Sequence, residues 1–474
     1  MRVGRGVGAA RLLAAAIAAS LCLAAPAARA DHRGDGVRDR VVRVKTPDGP
    51  GPARFDRVLV HELGRPSAKH VLVLLPGTQG GAGDFTLTAR YLVRRIEGLQ
   101  VWAVDRRTQA LEDTSVFRRA ASGRASLQDA FDYYLGWLDN GGVPADHFHF
   151  LDGSEFPFAR GWGMKVALRD AHAVVERAMR GHRSVVLGGH SLGASLTLAY
   201  AAWDFDGRPG YRDLTGMVLI DGGLLGSFDA YDLAQAKRAI ADLKAGNPFS
   251  DLLGLGIPEA AGLFGEIAGL YARVAPADAA TTLQDFSLLP PDLNPPFPVT
   301  DRALLGYALD RDTSPLDRSL QTNAGRLAST GDPRDWVDGG VTPVRRIAAT
   351  FGQEPSNAIE WYFPARLTID TNGADQLRDN AVARFLGLRL LHTKQVNLPL
   401  YALQTDLTGG HVLRGARRFI RRSRTTEAES VLVNADPRES HLDPLLAAPA
   451  TNAFFKTVVP FLRGAFSRSA GGWG

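Results

Sequence analysis

Residues 185–193 read Val-Val-Leu-Gly-Gly-His-Ser-Leu-Gly. An apolar run closes on Gly189-His190-Ser191-Leu192-Gly193, and a small-residue, helix-compatible stretch (194–202) follows at once. Gly-x-Ser-x-Gly between a strand and a helix describes a turn too sharp for bulky neighbours, with the serine hydroxyl pushed out at the carboxyl edge of a sheet. The chain holds 51 glycines, so the pattern alone carries little weight and its context decides. Residues 184–187 supply the strand, and Leu192, Leu196 and Leu198 can pack the helix against it.

Outward from this elbow, strand and helix alternate. Residues 41–45 and 57–63 read as two strands joined by a turn-rich run at 46–52, an antiparallel opening. The apolar run 70–75 ends at Pro76-Gly77 and reads as a buried strand. A helix over 84–96, a short strand over 101–104, and amphipathic helices within 127–138 and 163–179 lead up to the elbow. Residues 216–220 form another apolar strand, ending at Asp221-Gly222-Gly223. Such alternation predicts a mostly parallel sheet covered by helices on both faces. It stops over 227–395, which is rich in Pro and Gly, and resumes with strands at 398–404 and 430–434 and a last helix over 451–466. The chain thus divides into a first core half (31–226), an insertion (227–395) and a second core half (396–474).

Residues 1–30 are set apart. Arg2, Arg5 and Arg11 precede an apolar stretch over 12–25, and Ala28-Arg29-Ala30 is a small-x-small cleavage site. This is the pattern of a secretory signal peptide, so the mature protein is expected to be secreted or periplasmic, with no membrane segment after its removal. Removing its four arginines lowers the formal charge from +5 to about +1, and no basic block interleaved with aromatics argues for nucleic acid. Cys22 is the only cysteine and falls in the same segment. A disulfide, a cysteine nucleophile and a thiolate metal site are therefore not expected in the mature chain. With 474 residues, 45% of them hydrophobic, core burial is sufficient to stabilise it.

In these features the chain resembles the α/β-hydrolase family over both core halves. Four motifs match in order: the strand ending Leu75-Pro76-Gly77-Thr78, the elbow around Ser191, the strand ending at Asp406, and the last core strand followed by His441. The resemblance implies the order serine, acid, histidine, and makes the insertion at 227–395 a mainly helical cap. A serine hydroxyl needs a base within hydrogen-bond reach, and the base needs an acceptor that fixes its tautomer. Ser191 is the expected nucleophile and His441 the expected base, with His411 its rival. His190, inside the elbow, is expected to turn its ring away. Asp406 is the preferred acid, because the family usually places its acid there, and Asp221 is the alternative. Leu192 N–H is one expected oxyanion donor. The other is Thr78 N–H, with Gln79 as alternative, although this chain has Pro-Gly where the family often has His-Gly.

Weaker signals point elsewhere. Asp204, Asp206 and Gly207 faintly suggest a calcium loop, and His147 and His149 alternate without a third ligand. Arg106 and Arg107 look structural. Apolar residues at 252–274 read as two short helices broken by Pro258, suited either to a pocket for an acyl chain or to a core of their own. The expectation is a cofactor-free serine hydrolase, without metal, acting on a small-molecule or lipid ester. A serine peptidase on the same fold and a non-catalytic binding protein on a hydrolase scaffold are the alternatives. The Gly-His-Ser-Leu-Gly elbow favours the ester reading slightly.

Overall fold

The computed structural model describes residues 36–139, 146–314, 321–352 and 358–469. The signal peptide expected at 1–30, with Cys22, lies outside the described residues. Eight strands form one sheet: β1 (Asp39–Lys45), β2 (Arg57–Gly64), β3 (His70–Leu75), β4 (Leu99–Val104), β5 (Ser184–His190), β6 (Gly216–Ile220), β7 (Leu400–Gln404) and β8 (Ser430–Asn434). Their spatial order is β1-β2-β4-β3-β5-β6-β7-β8. β1–β2 and β2–β4 pair antiparallel, and every neighbour from β4 to β8 pairs parallel.

Strand periodicity explains why both faces are covered. Successive side chains of a strand point to opposite faces. Leu72, Leu74, Val186, Val218, Tyr401 and Leu403 enter one core, whereas Val71, Val73, Leu187, Leu219, Leu400 and Ala402 enter the other. The first core is closed by α1 (Thr86–Arg95) and by the final helix, Ala453–Ser469. The second is closed by α2 (Met164–Met179), α3 (Leu192–Ala202) and the helix His411–Arg422. Strands buried on both faces read as continuous apolar runs, which is how the central strands appear in the sequence.

Between β6 and β7 the chain leaves the sheet and builds α4 (Ala260–Val274), α5 (Asp301–Leu309) and several shorter helices, with a two-stranded ribbon of Gly325–Gly331 and Arg334–Asp338. The two short helices expected over 252–274 are corrected here to one. The Asp251 carboxylate accepts the N–H groups of Gly254 and Gly256, both at positive φ, and so holds that stretch as a turn. Pro258 stands just ahead of α4, where its missing N–H costs no helical bond. No helix among the described residues is long and apolar enough to cross a membrane.

The parallel strands all end at one rim, where Gly77, Ser191, Asp221 and Thr405 emerge. Crevices at the carboxyl ends of parallel strands are where open α/β sheets place their sites.

Candidate active site

Close approach dictates the elbow's glycines. A Cβ on Gly189 would lie 2.3 Å from the Gly193 backbone, and one on Gly193 would lie 1.9 Å from the Leu75 carbonyl. Ser191 between them is held at φ 54°, ψ −121°, with its N–H on the Ile220 carbonyl at 2.9 Å. Such a backbone costs a non-glycine residue on the order of 1–3 kcal/mol. Seven non-glycine residues have positive φ among the described residues, and three of them are Gln79, Ser191 and Asp221. Three strained positions thus share this rim.

His441 lies in the segment after β8 and is buried. Its Nδ1 donates to Asp221 Oδ2 at 2.6 Å. Asp221 Oδ1 also accepts the Thr405 N–H at 2.7 Å and the Thr408 hydroxyl at 3.0 Å, and its Oδ2 accepts the Thr405 hydroxyl. Burial alone would raise the pKa of this carboxyl. The His441 bond and charge, with the Thr405 bonds, outweigh burial and hold it below its ordinary value. From the other side, His190 Nε2 donates to the His441 carbonyl at 2.8 Å, and the two rings lie 4.4 Å apart. Burial first, and then the neighbouring His441, push the pKa of His190 down to about 3. His190 is therefore neutral at neutral pH and serves to seat the His441 segment. The Ser191 hydroxyl has no hydrogen bond to His441 among the described residues; catalytic hydrogen bonds often tighten only when substrate is bound.

The preference for Asp406 is corrected. Asp406 is exposed, accepts from Arg311 at 3.0 Å, and opens the 3-10 turn after β7. Residue 405, one position earlier, is the one that faces inward, and a one-residue step along an extended chain reverses the direction of the side chain. The alternative, Asp221, occupies the acceptor position at His441. The rival base His411 is exposed and donates through Nδ1 to the Gly226 carbonyl.

The loop after β3 lies against the elbow. A Cβ on Gly77 would be 3.0 Å from Ser191 Cβ. Among the described residues, no acceptor is found for the N–H groups of Thr78 and Gln79, whereas Gly80, Gly81 and Ala82 donate to Gly77 O, Ala358 O and Asp105 Oδ1. Leu192 is the first residue of α3, so its N–H has no intrahelical partner. The arrangement offers unpaired N–H groups from both loops beside a strained serine.

Neither family models nor curated proteins match the sequence. Solved structures do match. A candidate lipase from Sulfolobus solfataricus is 14% identical, covers 91% of this chain and 95% of its own, and superposes with a TM-score of 0.51. An epoxide hydrolase from Vigna radiata is 13% identical over 91% and 100% of the two chains, TM-score 0.42. A thermophilic esterase from Thermogutta terrifontis is 12% identical over 90% and 99%, TM-score 0.38. The chain has the α/β-hydrolase fold.

Within this α/β-hydrolase fold the weaker sequence signals have structural uses. Asp204 is engaged by Arg389, His392 and the Gly207 N–H. His147 stacks on Trp137 with ring centroids 4.4 Å apart. No cluster of three or more metal-type ligands occurs among the described residues. The two adjacent arginines differ. Arg107 is buried between Asp56 and Asp170 and ties the β1–β2 turn to α2. Arg106 reaches the Pro76-Gly77 loop instead. Sequence reasoning missed this; its one signal was a cation placed at the end of β4, next to β3.

Proposed function

We propose that this protein is a serine hydrolase that cleaves carboxylic esters. The observation that carries the reading is the His441–Asp221 bond, set at the same rim as a serine forced to positive φ. Ser191 Oγ attacks the ester carbonyl as His441 Nε2 takes its proton. Asp221 holds the Nδ1–H tautomer and offsets the positive charge that the ring acquires. Leu192 and Thr78 N–H groups stabilise the oxyanion. Its collapse breaks the C–O bond, and His441 gives its proton to the leaving alcohol. Water, deprotonated by His441, then releases the acid and frees Ser191.

Segment 227–395 serves in this reading as the cap. Between α4 and α5 lies an apolar cavity of about 80 Å³, lined by Phe264, Ile267, Phe286, Leu305, Leu309 and Ile359. Ile359 bridges to Gly80. Leu309 bonds Thr322, next to Gln321, whose carbonyl accepts the Leu442 N–H. The cavity is therefore tied to both the β3 loop and the histidine segment, which favours a substrate with an apolar acyl group, such as a lipid ester. The lipase designation of the Sulfolobus protein agrees with this class. Export through residues 1–30 belongs to the same proposal, and a mature amino terminus at Asp31 is its check.

Ser191→Ala is expected to cut hydrolysis of a p-nitrophenyl acyl ester by roughly 10⁴-fold or more, and to abolish labelling by a fluorophosphonate probe. Undiminished turnover in this variant would overturn the reading.

A further inference from the structure

The β3 loop is held by one guanidinium. Arg106 Nη2 donates to the carbonyls of Pro76 and Gly77, each at 2.7 Å, and Nη1 donates to Gly80 O at 3.2 Å. The same Nη1 also donates to Glu360 Oε2 at 2.5 Å, and the Glu360 carboxylate accepts the Thr108 hydroxyl. Glu360 is buried; burial pushes its pKa up, and the Arg106 charge opposes that shift. Phe363 covers the cation at 5.2 Å.

Peptide geometry converts these bonds into a direction. In a trans peptide the C=O and the following N–H point opposite ways. Fixing Gly77 O on Arg106 therefore fixes Thr78 N–H away from Arg106, and leaves it without an internal acceptor. The loop is also stitched to the segment carrying Glu360: Glu360 N–H donates to Gln79 O at 2.7 Å, and Gly81 N–H to Ala358 O at 3.0 Å. That segment belongs to the insertion, not to the sheet. The buried Gln79 carboxamide makes no hydrogen bond among the described residues, so the backbone, rather than this side chain, anchors the loop.

We infer that Arg106 is a positioning residue that aims the Thr78 N–H at the developing oxyanion, and that Glu360 makes this aim depend on the docking of the 358–363 segment. The inference rests on the ester-hydrolase reading. It adds a link between cap and chemistry: the residue whose N–H joins the 358–363 segment to the loop also supplies the carboxylate that holds the guanidinium orienting the donor. A cap segment that is out of place leaves Arg106 unheld and the peptide plane at 77–78 free to turn.

The test compares kcat and KM on a short p-nitrophenyl ester for wild type, Arg106→Met, Glu360→Gln, the double variant Arg106→Met/Glu360→Met, and Arg107→Lys as a control outside the loop. Loss of one oxyanion donor lowers kcat on the order of 10²–10³-fold. Arg106→Met is expected to approach that loss with KM changed less than about threefold, Glu360→Gln to lose about tenfold, and Arg107→Lys to lower the melting temperature without lowering kcat. The double variant removes both buried charges and so covers the case in which Arg106→Met fails to fold. For Arg106→Ala, added guanidinium ion at millimolar concentration is expected to restore part of kcat while leaving the melting temperature unchanged, which a purely structural role would not produce. A folded Arg106→Met or double variant with wild-type kcat overturns the inference while Ser191→Ala stays inactive. If Ser191→Ala is itself active, the ester-hydrolase reading fails and the inference falls with it.

Discussion

β6 and β7 lie side by side in the sheet, and each leads into an aspartate at the same rim, Asp221 after one and Asp406 after the other. Asp221 is buried, sits at φ 45°, and accepts from His441, Thr405 and Thr408. Asp406 is exposed; its carboxylate accepts from Arg311, and its backbone bonds the Glu439 carbonyl through its N–H at 3.3 Å and the Gly409 N–H through its carbonyl at 3.1 Å. Both follow an apolar strand and both precede a loop. Parity separates them: β7 spends its first inward position past the strand on Thr405, so its next residue is turned to water, whereas β6 spends that position on the acid itself. The threonine then acts for the acid next door. Strand ends at a shared rim thus divide the work, and the identity of a strand-end residue is less informative than the face it occupies.

The sharpest way to break this comparison is Asp221→Asn. It keeps the shape of the side chain but cannot hold the Nδ1–H tautomer, and a loss on the order of 10⁴-fold in kcat is expected. Asp406→Asn is the matched control. An exposed ion pair is worth about 0–1 kcal/mol, so kcat is expected to stay within about twofold and the melting temperature nearly constant. Steady-state rates of the two purified variants decide it, and the comparison fails if their losses are alike or reversed.

A smaller effect sharpens the picture from the other side of His441. His190 is neutral in the folded protein down to about pH 3, while in the unfolded chain an imidazole protonates near pH 6.5. Between those values the unfolded state binds the extra proton. The His190 contribution to stability is thus whole above pH 6.5 and is lost as pH falls, at about 1.4 kcal/mol per pH unit. His190→Gln can still donate to the His441 carbonyl but does not titrate. The stability difference, wild type minus variant, measured by urea unfolding from pH 7 to pH 4, is expected to fall steadily with acidification. A flat difference would remove His190 from the account.

Much of the fold was legible because its causes are local. Runs such as 70–75 and 185–187 can be read as strands buried on both faces, and the glycines at 189 and 193 have no other steric excuse. The elbow serine and His441 were singled out by the same route, with the family resemblance setting their order, and the structure places both at one rim of the sheet. The acid was misjudged because Asp221 and Asp406 are equivalent in composition and strand-end context, and differ only in a register that the chain acquires on pairing. Arg106 was overlooked because its task is performed on backbone carbonyls, which look the same under every side chain. Glu360 was invisible for a different reason: its partner lies 254 positions away, inside a segment whose elements follow no repeating pattern.

The distance in sequence between Asp221 and His441, 220 positions, has a consequence for biosynthesis. Chains emerge from the ribosome amino end first, and domains fold as their parts appear. The elbow on β5 is made early, but His441 arrives only after the insertion and two further strands have been translated. On the ester-hydrolase proposal, a nascent chain is therefore chemically silent until the segment carrying His441 has joined the sheet.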